Sequence, residues 1–213
     1  MQKLKQTIGY LYINGLNDGQ TKRQDRLAFW WWRRKGIELR HAHVNWLDGR
    51  SLDDKVNDLE IQLGEMLEQF SGVALIGTSA GGSLALNTFH RLKGRNICAV
   101  TAHARLKVGD YSQEQKNSMY RRANMDTDRP CKAFFDSVAN VEADIISEVS
   151  ESEIQRLLTL SSITDMIVPP SLMSVEGVRN HRSLAFGHAG GYLAHMIADR
   201  NLTIRFSETC LKK

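Results

Sequence analysis

Apolar residues along the chain fall into short continuous runs that alternate with longer stretches of helical spacing. Residues 8–13 are apolar throughout and end at Asn-Gly, which is typical of a central strand covered on both faces. Period-two alternation predicts a second strand over residues 37–46. Further short strands are expected at 73–76, 97–101, 157–163 and 182–186.

Helices are predicted between these strands. Residues 21–35 include three consecutive tryptophans and a basic last turn, and Gly36 supplies a helix stop. The clearest helix follows Ser51, a suitable N-cap, and has one apolar stripe: Val56, Leu59, Leu63, Met66, Leu67 and Phe70. Two more helices are expected at 83–92 and 190–200. Because strands and helices alternate, we predict an α/β protein, a three-layer α/β/α sandwich with a mostly parallel sheet of about six strands.

The stretch from about 105 to 150 interrupts this alternation. It is polar, carries charges of both signs and has isolated aromatic residues, namely Tyr111, Tyr120, Phe134 and Phe135. We interpret it as an inserted, partly helical cap or lid segment. The chain of 213 residues is otherwise expected to form one domain over 1–213.

Composition excludes several classes of protein. Hydrophobic residues make up 42% and charged residues 24%, which favours a folded globular chain. The net charge of +4 is small and the basic residues look dispersed, apart from 33–35 and 121–122, so no nucleic-acid partner is expected.

Cys98, Cys131 and Cys210 form no CxxC pair, so neither a disulfide framework nor a zinc site is predicted. No apolar stretch approaches the roughly 18 to 20 residues that span a bilayer. We expect a cytoplasmic protein without a metal or cofactor, and its oligomeric state stays open.

Residues 77–81 read G-T-S-A-G and match the pattern G-x-S-x-G between a predicted buried strand and a predicted helix. A nucleophilic serine at that place needs a sharp turn, and Gly77 and Gly81 supply small residues on both sides of Ser79. The backbone N–H of Ala80 then becomes a candidate oxyanion donor. The alternatives are a packing turn or a phosphate-binding loop, although neither G-K-[ST] nor G-x-G-x-x-G is present.

A serine nucleophile needs a base and an acceptor that orients the base. Asp165 follows a predicted strand, and His188 lies in a loop of small residues before the last helix. The best rival base is His103, which ends a strand and is also a possible pocket residue. Asp136 and Asp144 are alternative acids, but both lie in the inserted segment.

Other polar residues have simpler interpretations. His41 and His43 could suggest a metal pair, but partly buried strand histidines are commoner. His90 and His195 fall inside predicted helices and are read as ordinary helix residues. Ser83, one helical turn after the motif serine, is expected to be buried or capping.

With these residues in this order, the sequence resembles the α/β-hydrolase family over essentially the whole chain. The resemblance implies that Ser79 is the nucleophile, His188 the general base and then acid, and Asp165 the group that fixes the imidazole tautomer. It also implies a second oxyanion donor after the first strand, and the matching group is the N–H of Leu16. Asn14 stands where the family often has histidine. By this resemblance, we expect no counterpart in these residues to the first two strands of the full family fold.

The function expected from these features is a serine hydrolase that cleaves a carboxylic ester or thioester through an acyl-enzyme on Ser79. Small or medium soluble esters are the expected substrates. Ester, thioester and amide cleavage all use this apparatus, so the leaving group stays open. The alternatives are an acyltransferase with the same triad, a noncatalytic binding or regulatory protein on this scaffold, and a phosphate-binding domain that uses the glycine-rich turn.

Overall fold

The structure is a computed structural model that describes residues 8–109 and 131–211. Within these residues one six-stranded sheet has the order β2-β1-β3-β4-β5-β6, and each pair of neighbouring strands is parallel. The strands are β1 (Gly9–Ile13), β2 (Leu39–His41), β3 (Val73–Thr78), β4 (Ile97–Ala102), β5 (Leu157–Thr164) and β6 (Arg179–Phe186). The predicted α/β class and the parallel sheet of six strands are confirmed.

Helices cover both faces of this sheet. They are α1 (Arg23–Arg33), α2 (Leu52–Gln69), α3 (Ala80–Arg91), α4 (Lys132–Asn140), α5 (Ile146–Glu148), α6 (Glu151–Ile154), α7 (His188–Leu193) and α8 (Arg200–Leu211). Two π-helical turns, Val141–Ile145 and Ala194–Ala198, follow α4 and α7, and a 3-10 turn spans Pro170–Leu172. None of the helices in the described ranges has the length and apolar character needed to cross a bilayer.

Alternate residues of the central strands belong to two separate hydrophobic cores, one on each face of the sheet. Leu75 of β3 packs with the apolar faces of α2, α3 and α4, whereas its neighbour Ile76 packs with α1, α7 and α8. This is the expected consequence of strand side chains that alternate between the two faces of a sheet. The continuous apolar runs in the sequence are therefore strands buried on both sides.

The predicted start of α2 is confirmed, because Ser51 Oγ accepts a hydrogen bond from Asp54 N at 3.1 Å. The second strand is much shorter than predicted. It stops at His41 because His43 adopts a left-handed φ of 53° and the next residue, Val44, bonds to the Asn14 side chain instead of continuing the ladder. Period-two alternation alone does not reveal that turn.

The C-terminal helix also differs from its predicted bounds of 190–200. It begins earlier, at His188, and passes through the second π-helical turn. Residues after 201, whose pattern is ambiguous in the sequence, form most of α8.

The described part of the predicted insertion comprises residues 105–109 and 131–150, and the second of these ranges is largely helical and packs against the core. Phe134 of α4 meets Trp46 edge-on at a ring-centroid distance of 6.2 Å. Ser137 joins α4 to α3 through a 2.7 Å hydrogen bond with Ser83. Tyr111 and Tyr120 lie outside the described residues.

Candidate active site

Ser79 lies in a strained turn between β3 and α3. Its backbone has φ 53° and ψ −124°, in the region that favours glycine, and helix α3 begins at the next residue. A Cβ at Gly77 would come within 2.2 Å of Gly81 O, and a Cβ at Gly81 within 2.3 Å of Ile13 O. Strand and helix therefore approach so closely that only glycine fits at both positions, and Ser79 projects from the carboxyl edge of the sheet.

The structure brings the three predicted triad residues into one hydrogen-bonded chain. His188 Nε2 lies 2.9 Å from Ser79 Oγ, and His188 Nδ1 lies 2.8 Å from Asp165 Oδ2. Gly187 precedes the histidine with φ 69°, a conformation that glycine adopts readily. The geometry is that of a nucleophile, a base and an acceptor that orients the base.

The Asp165 carboxylate is buried, and both of its oxygens have hydrogen-bond partners. Its oxygen Oδ1 accepts hydrogen bonds from Ile167 N at 2.8 Å and Val168 N at 3.0 Å. Burial by itself raises the pKa of this carboxyl, but the hydrogen bond and charge of His188, with the two backbone amides, leave the pKa below its ordinary value of 3.8. Asp165 therefore stays ionised at neutral pH and can accept a hydrogen bond from the Nδ1–H of His188.

Leu16 and Ala80, the two predicted oxyanion donors, both line the cavity beside Ser79. Ala80 is the first residue of α3, where backbone N–H groups have no intrahelical partner and the helix dipole favours an anion. Gly15 lets the β1 loop approach, since a Cβ there would lie 3.0 Å from Ser79 Cβ. The loop after β1 and the start of α3 therefore both lie next to Ser79.

Asn14 holds the loop that carries Leu16. Its Nδ2 donates to Val44 O at 2.9 Å and to Asn17 Oδ1 at 2.8 Å, and its Oδ1 accepts from Val44 N at 3.0 Å. The residue is buried. Sequence reasoning recorded Asn14 only as a departure from the family and missed this role. The available signal was a side-chain amide placed directly after a buried strand and before glycine.

A cavity of about 460 Å³ opens at Ser79 and His188. Its apolar lining includes Leu16, Phe134, Ile167 and Val168, and its polar lining includes Tyr12, Lys22, Gln24, Asp25, Thr78, Arg105 and Tyr192. A cavity of mixed apolar and polar lining beside a serine hydroxyl can hold a small organic molecule.

Sequence reasoning also missed the buried carboxylate of Asp25, which lines this cavity. Asp25 Oδ1 accepts hydrogen bonds from Tyr192 OH at 2.5 Å and from Tyr12 OH at 3.2 Å. Tyr12 OH lies in turn 3.1 Å from Oγ1 of Thr78, the residue before Ser79. Burial, helped by the negative charge of Asp25, raises the pKa of both tyrosines, so they remain protonated donors.

His103 lies beneath the site and does not line the cavity, contrary to its predicted pocket role. It is 2% exposed and packs against Gly191 of α7, so closely that a Cβ there would lie 2.6 Å from His103 Nδ1. Burial, and then the charge of His188, lowers its pKa to about 4. His195 is fully buried, and burial lowers its pKa to about 3. Both histidines are therefore neutral.

The other competing residues have structural partners. The rings of His41 and His43 lie 4.0 Å apart, and burial, followed by the neighbouring His43, lowers the pKa of His41 to about 4. His90 Nε2 lies 3.3 Å from Glu148, and Ser83 is buried. Asp136 pairs with a lysine of its own helix, and Asp144 is exposed in a π-helical turn away from the triad. Residues 8–109 and 131–211 contain no cluster of three or more metal-ligating side chains.

No protein-family model and no curated protein matches the chain. Solved structures do. One, described with LipS and LipT, two metagenome-derived lipolytic enzymes, shares 15% identity and a TM-score of 0.59 over 98% of this chain and 95% of its own. MGS-M2, an α/β-hydrolase enzyme from a Medee basin deep-sea metagenome library, has 12% identity and a TM-score of 0.58, over 100% of this chain and 92% of its own.

The chain has the α/β-hydrolase fold. The monoacylglycerol lipase of Paleococcus ferrophilus is also similar, with 12% identity and a TM-score of 0.54 over 96% of this chain and 97% of the lipase. Identities this low relate the chains by α/β-hydrolase fold alone, so the activity has to be argued from the site.

Proposed function

We propose that the protein is a serine hydrolase that cleaves a carboxylic ester or thioester through an acyl-enzyme on Ser79. The observation that carries the proposal is the hydrogen-bonded chain from Ser79 Oγ to His188 at 2.9 Å and from His188 to Asp165 at 2.8 Å. The cavity at Ser79, which has both apolar and polar lining residues, supports a small acyl compound as the substrate.

In the first half of the proposed reaction, Ser79 Oγ attacks the acyl carbon while His188 Nε2 takes the hydroxyl proton. The carbonyl oxygen becomes an oxyanion that the N–H groups of Leu16 and Ala80 stabilise, and each such donor contributes about 2.7–4 kcal/mol to the barrier reduction. Collapse of the tetrahedral intermediate breaks the bond to the leaving group. The alcohol or thiol departs with the proton that His188 held.

In the second half, His188 takes a proton from a water molecule, whose oxygen attacks the acyl carbon of the ester on Ser79. The same two N–H groups bind the second oxyanion. Cleavage of the bond to Ser79 Oγ releases the carboxylic acid, and the serine regains its proton from His188. Asp165 stays ionised throughout: it accepts the hydrogen bond from the Nδ1–H of His188 and stabilises the imidazolium.

The proposal is tested by intact mass after incubation with a fluorophosphonate probe. We expect one adduct on the wild type and on His90→Ala, since His90 lies far along α3 beside Glu148. Ser79→Ala and His188→Ala should give none, because one lacks the nucleophile and the other the base. A well-folded wild type that stays unlabelled would instead favour a noncatalytic binding protein on the same scaffold.

A panel of short-chain esters and thioesters then separates the possible reactions. Release of free acid, abolished by Ser79→Ala, supports hydrolysis. Acyl transfer to an added alcohol or thiol at the expense of the free acid would identify an acyltransferase that uses the same triad.

A further inference from the structure

Helix α1 presents an outward stripe whose successive members are four, three and four positions apart, a spacing that places side chains on one helix face. Its members are Arg23, Leu27 and Trp30 of α1 and Arg34, the residue directly after the helix. Leu27 and Trp30, in the middle, are 50% and 48% exposed, although both are large apolar side chains. The opposite face of α1 is buried through Ala28 and Trp32.

Basic side chains surround this apolar pair. Arg26 and Arg33 lie one helical turn before and after Trp30, and the Arg34 guanidinium lies 4.4 Å above the Trp30 ring. Residues 22–35 carry six basic side chains and one acidic one, a net charge of +5, whereas the whole chain carries +4. The segment that contains α1 is therefore the most basic part of this face, although Lys22 pairs with Asp18 and Arg33 with Glu38.

We propose that this face of α1 docks on an anionic phospholipid membrane. An apolar strip flanked by guanidinium groups matches a bilayer surface, where anionic headgroups lie above an apolar interior. Tryptophan in particular favours that interface. A nucleic acid would engage the arginines through phosphate but would offer Leu27 no apolar partner across its backbone.

The docking face is continuous with the mouth of the cavity. Lys22 and Gln24, at the beginning of α1, line the cavity that contains Ser79. A membrane in contact with α1 therefore lies beside the cavity mouth, where compounds that partition into the bilayer would enter. This consequence for substrate access rests on the proposed function, whereas the docking itself does not.

The test is sedimentation of the full chain with vesicles, using the Ser79→Ala variant so that no hydrolysis of lipid interferes. We expect binding to vesicles of equal parts phosphatidylcholine and phosphatidylglycerol, and none to phosphatidylcholine alone. Each basic residue at an anionic membrane contributes a factor of about five, so Arg23→Gln with Arg26→Gln should weaken binding about twenty-five-fold. Adding Leu27→Ser to these two changes should weaken vesicle binding further.

Matched variants separate docking from general effects of charge and exposure. Lys93→Gln with Arg95→Gln removes the same charge from an exposed turn after α3, and Ile61→Ser removes a side chain that is 64% exposed on α2. Both should bind vesicles like the parent. The proposal is overturned if the parent does not bind anionic vesicles, if the α1 and control variants weaken binding equally, or if the α1 arginines support binding to an oligonucleotide and not to vesicles. Thermal unfolding of each variant shows that the compared proteins are folded.

Discussion

Replacing Ser79 by glycine is expected to give a more stable protein than replacing it by alanine. Both changes remove the hydroxyl and its hydrogen bond with His188, so the two variants differ only in the Cβ. That Cβ is held at φ 53°, where a non-glycine residue stores about 1–3 kcal/mol of strain. Glycine releases the strain but loses about 0.5–1 kcal/mol through the greater freedom of the unfolded chain. From the middle of each range, the free energy of unfolding of Ser79→Gly should therefore exceed that of Ser79→Ala by about 1 kcal/mol.

Urea denaturation of the two variants, with a common slope, measures this difference. The control is the same pair at Ser83, a buried serine in the interior of α3, where φ is helical. There the order should reverse, because glycine is about 1 kcal/mol worse than alanine inside a helix. Equal stability at position 79, or a preference for alanine, would refute the idea that the turn at Ser79 stores backbone strain.

Three further predictions concern the site and its support. Asp165→Asn should lower kcat by up to about ten-thousandfold with little change in fold, because an amide favours the wrong tautomer of the histidine; near-normal turnover in an ester assay would place the acid elsewhere. Gly81→Ala should be strongly destabilised by the clash with the Ile13 carbonyl, whereas Gly64→Ala, in open space within α2, should gain about 1 kcal/mol; chemical denaturation of both variants tests the contrast. Because burial lowers the pKa of His103 to about 4, from an ordinary 6.5, the unfolded chain takes up the proton first on acidification. The free energy of unfolding should then fall as the pH is lowered from 6.5 to about 4, by up to about 1.4 kcal/mol per pH unit. Urea titrations across this range should show a smaller dependence of the free energy of unfolding on pH for His103→Gln than for the wild type.

The sequence predicted those features that depend on local pattern. Continuous apolar runs identified the buried strands, and the G-T-S-A-G segment between a strand and a helix identified the turn at Ser79. The order of Asp165 and His188 after their strands was enough to place both at the same edge of a parallel sheet. These inferences needed only the rule that the carboxyl ends of parallel strands meet at one edge.

The features that escaped prediction depend on partners far apart in the chain. Asn14 bonds to Val44, 30 residues later, and Asp25 bonds to Tyr192, 167 residues later. An asparagine after a strand or an aspartate in a first helical turn has an ordinary local explanation, since Asp25 also accepts the Lys22 backbone N–H. The local pattern does not indicate which distant residue will become the hydrogen-bond partner of either side chain.

The long-range contacts of α1 connect the proposed docking face with the segment that carries His188. Asp25, on the buried side of the helix, holds Tyr192, which lies one helical turn after His188 in α7. Trp32, at the other end of α1, donates its indole N–H to Met196 O at 2.8 Å, in the turn that follows α7. Because two buried hydrogen bonds join α1 to the segment that carries His188, the two elements are braced against moving independently. Docking through α1 would therefore orient the cavity mouth and the triad together relative to the membrane.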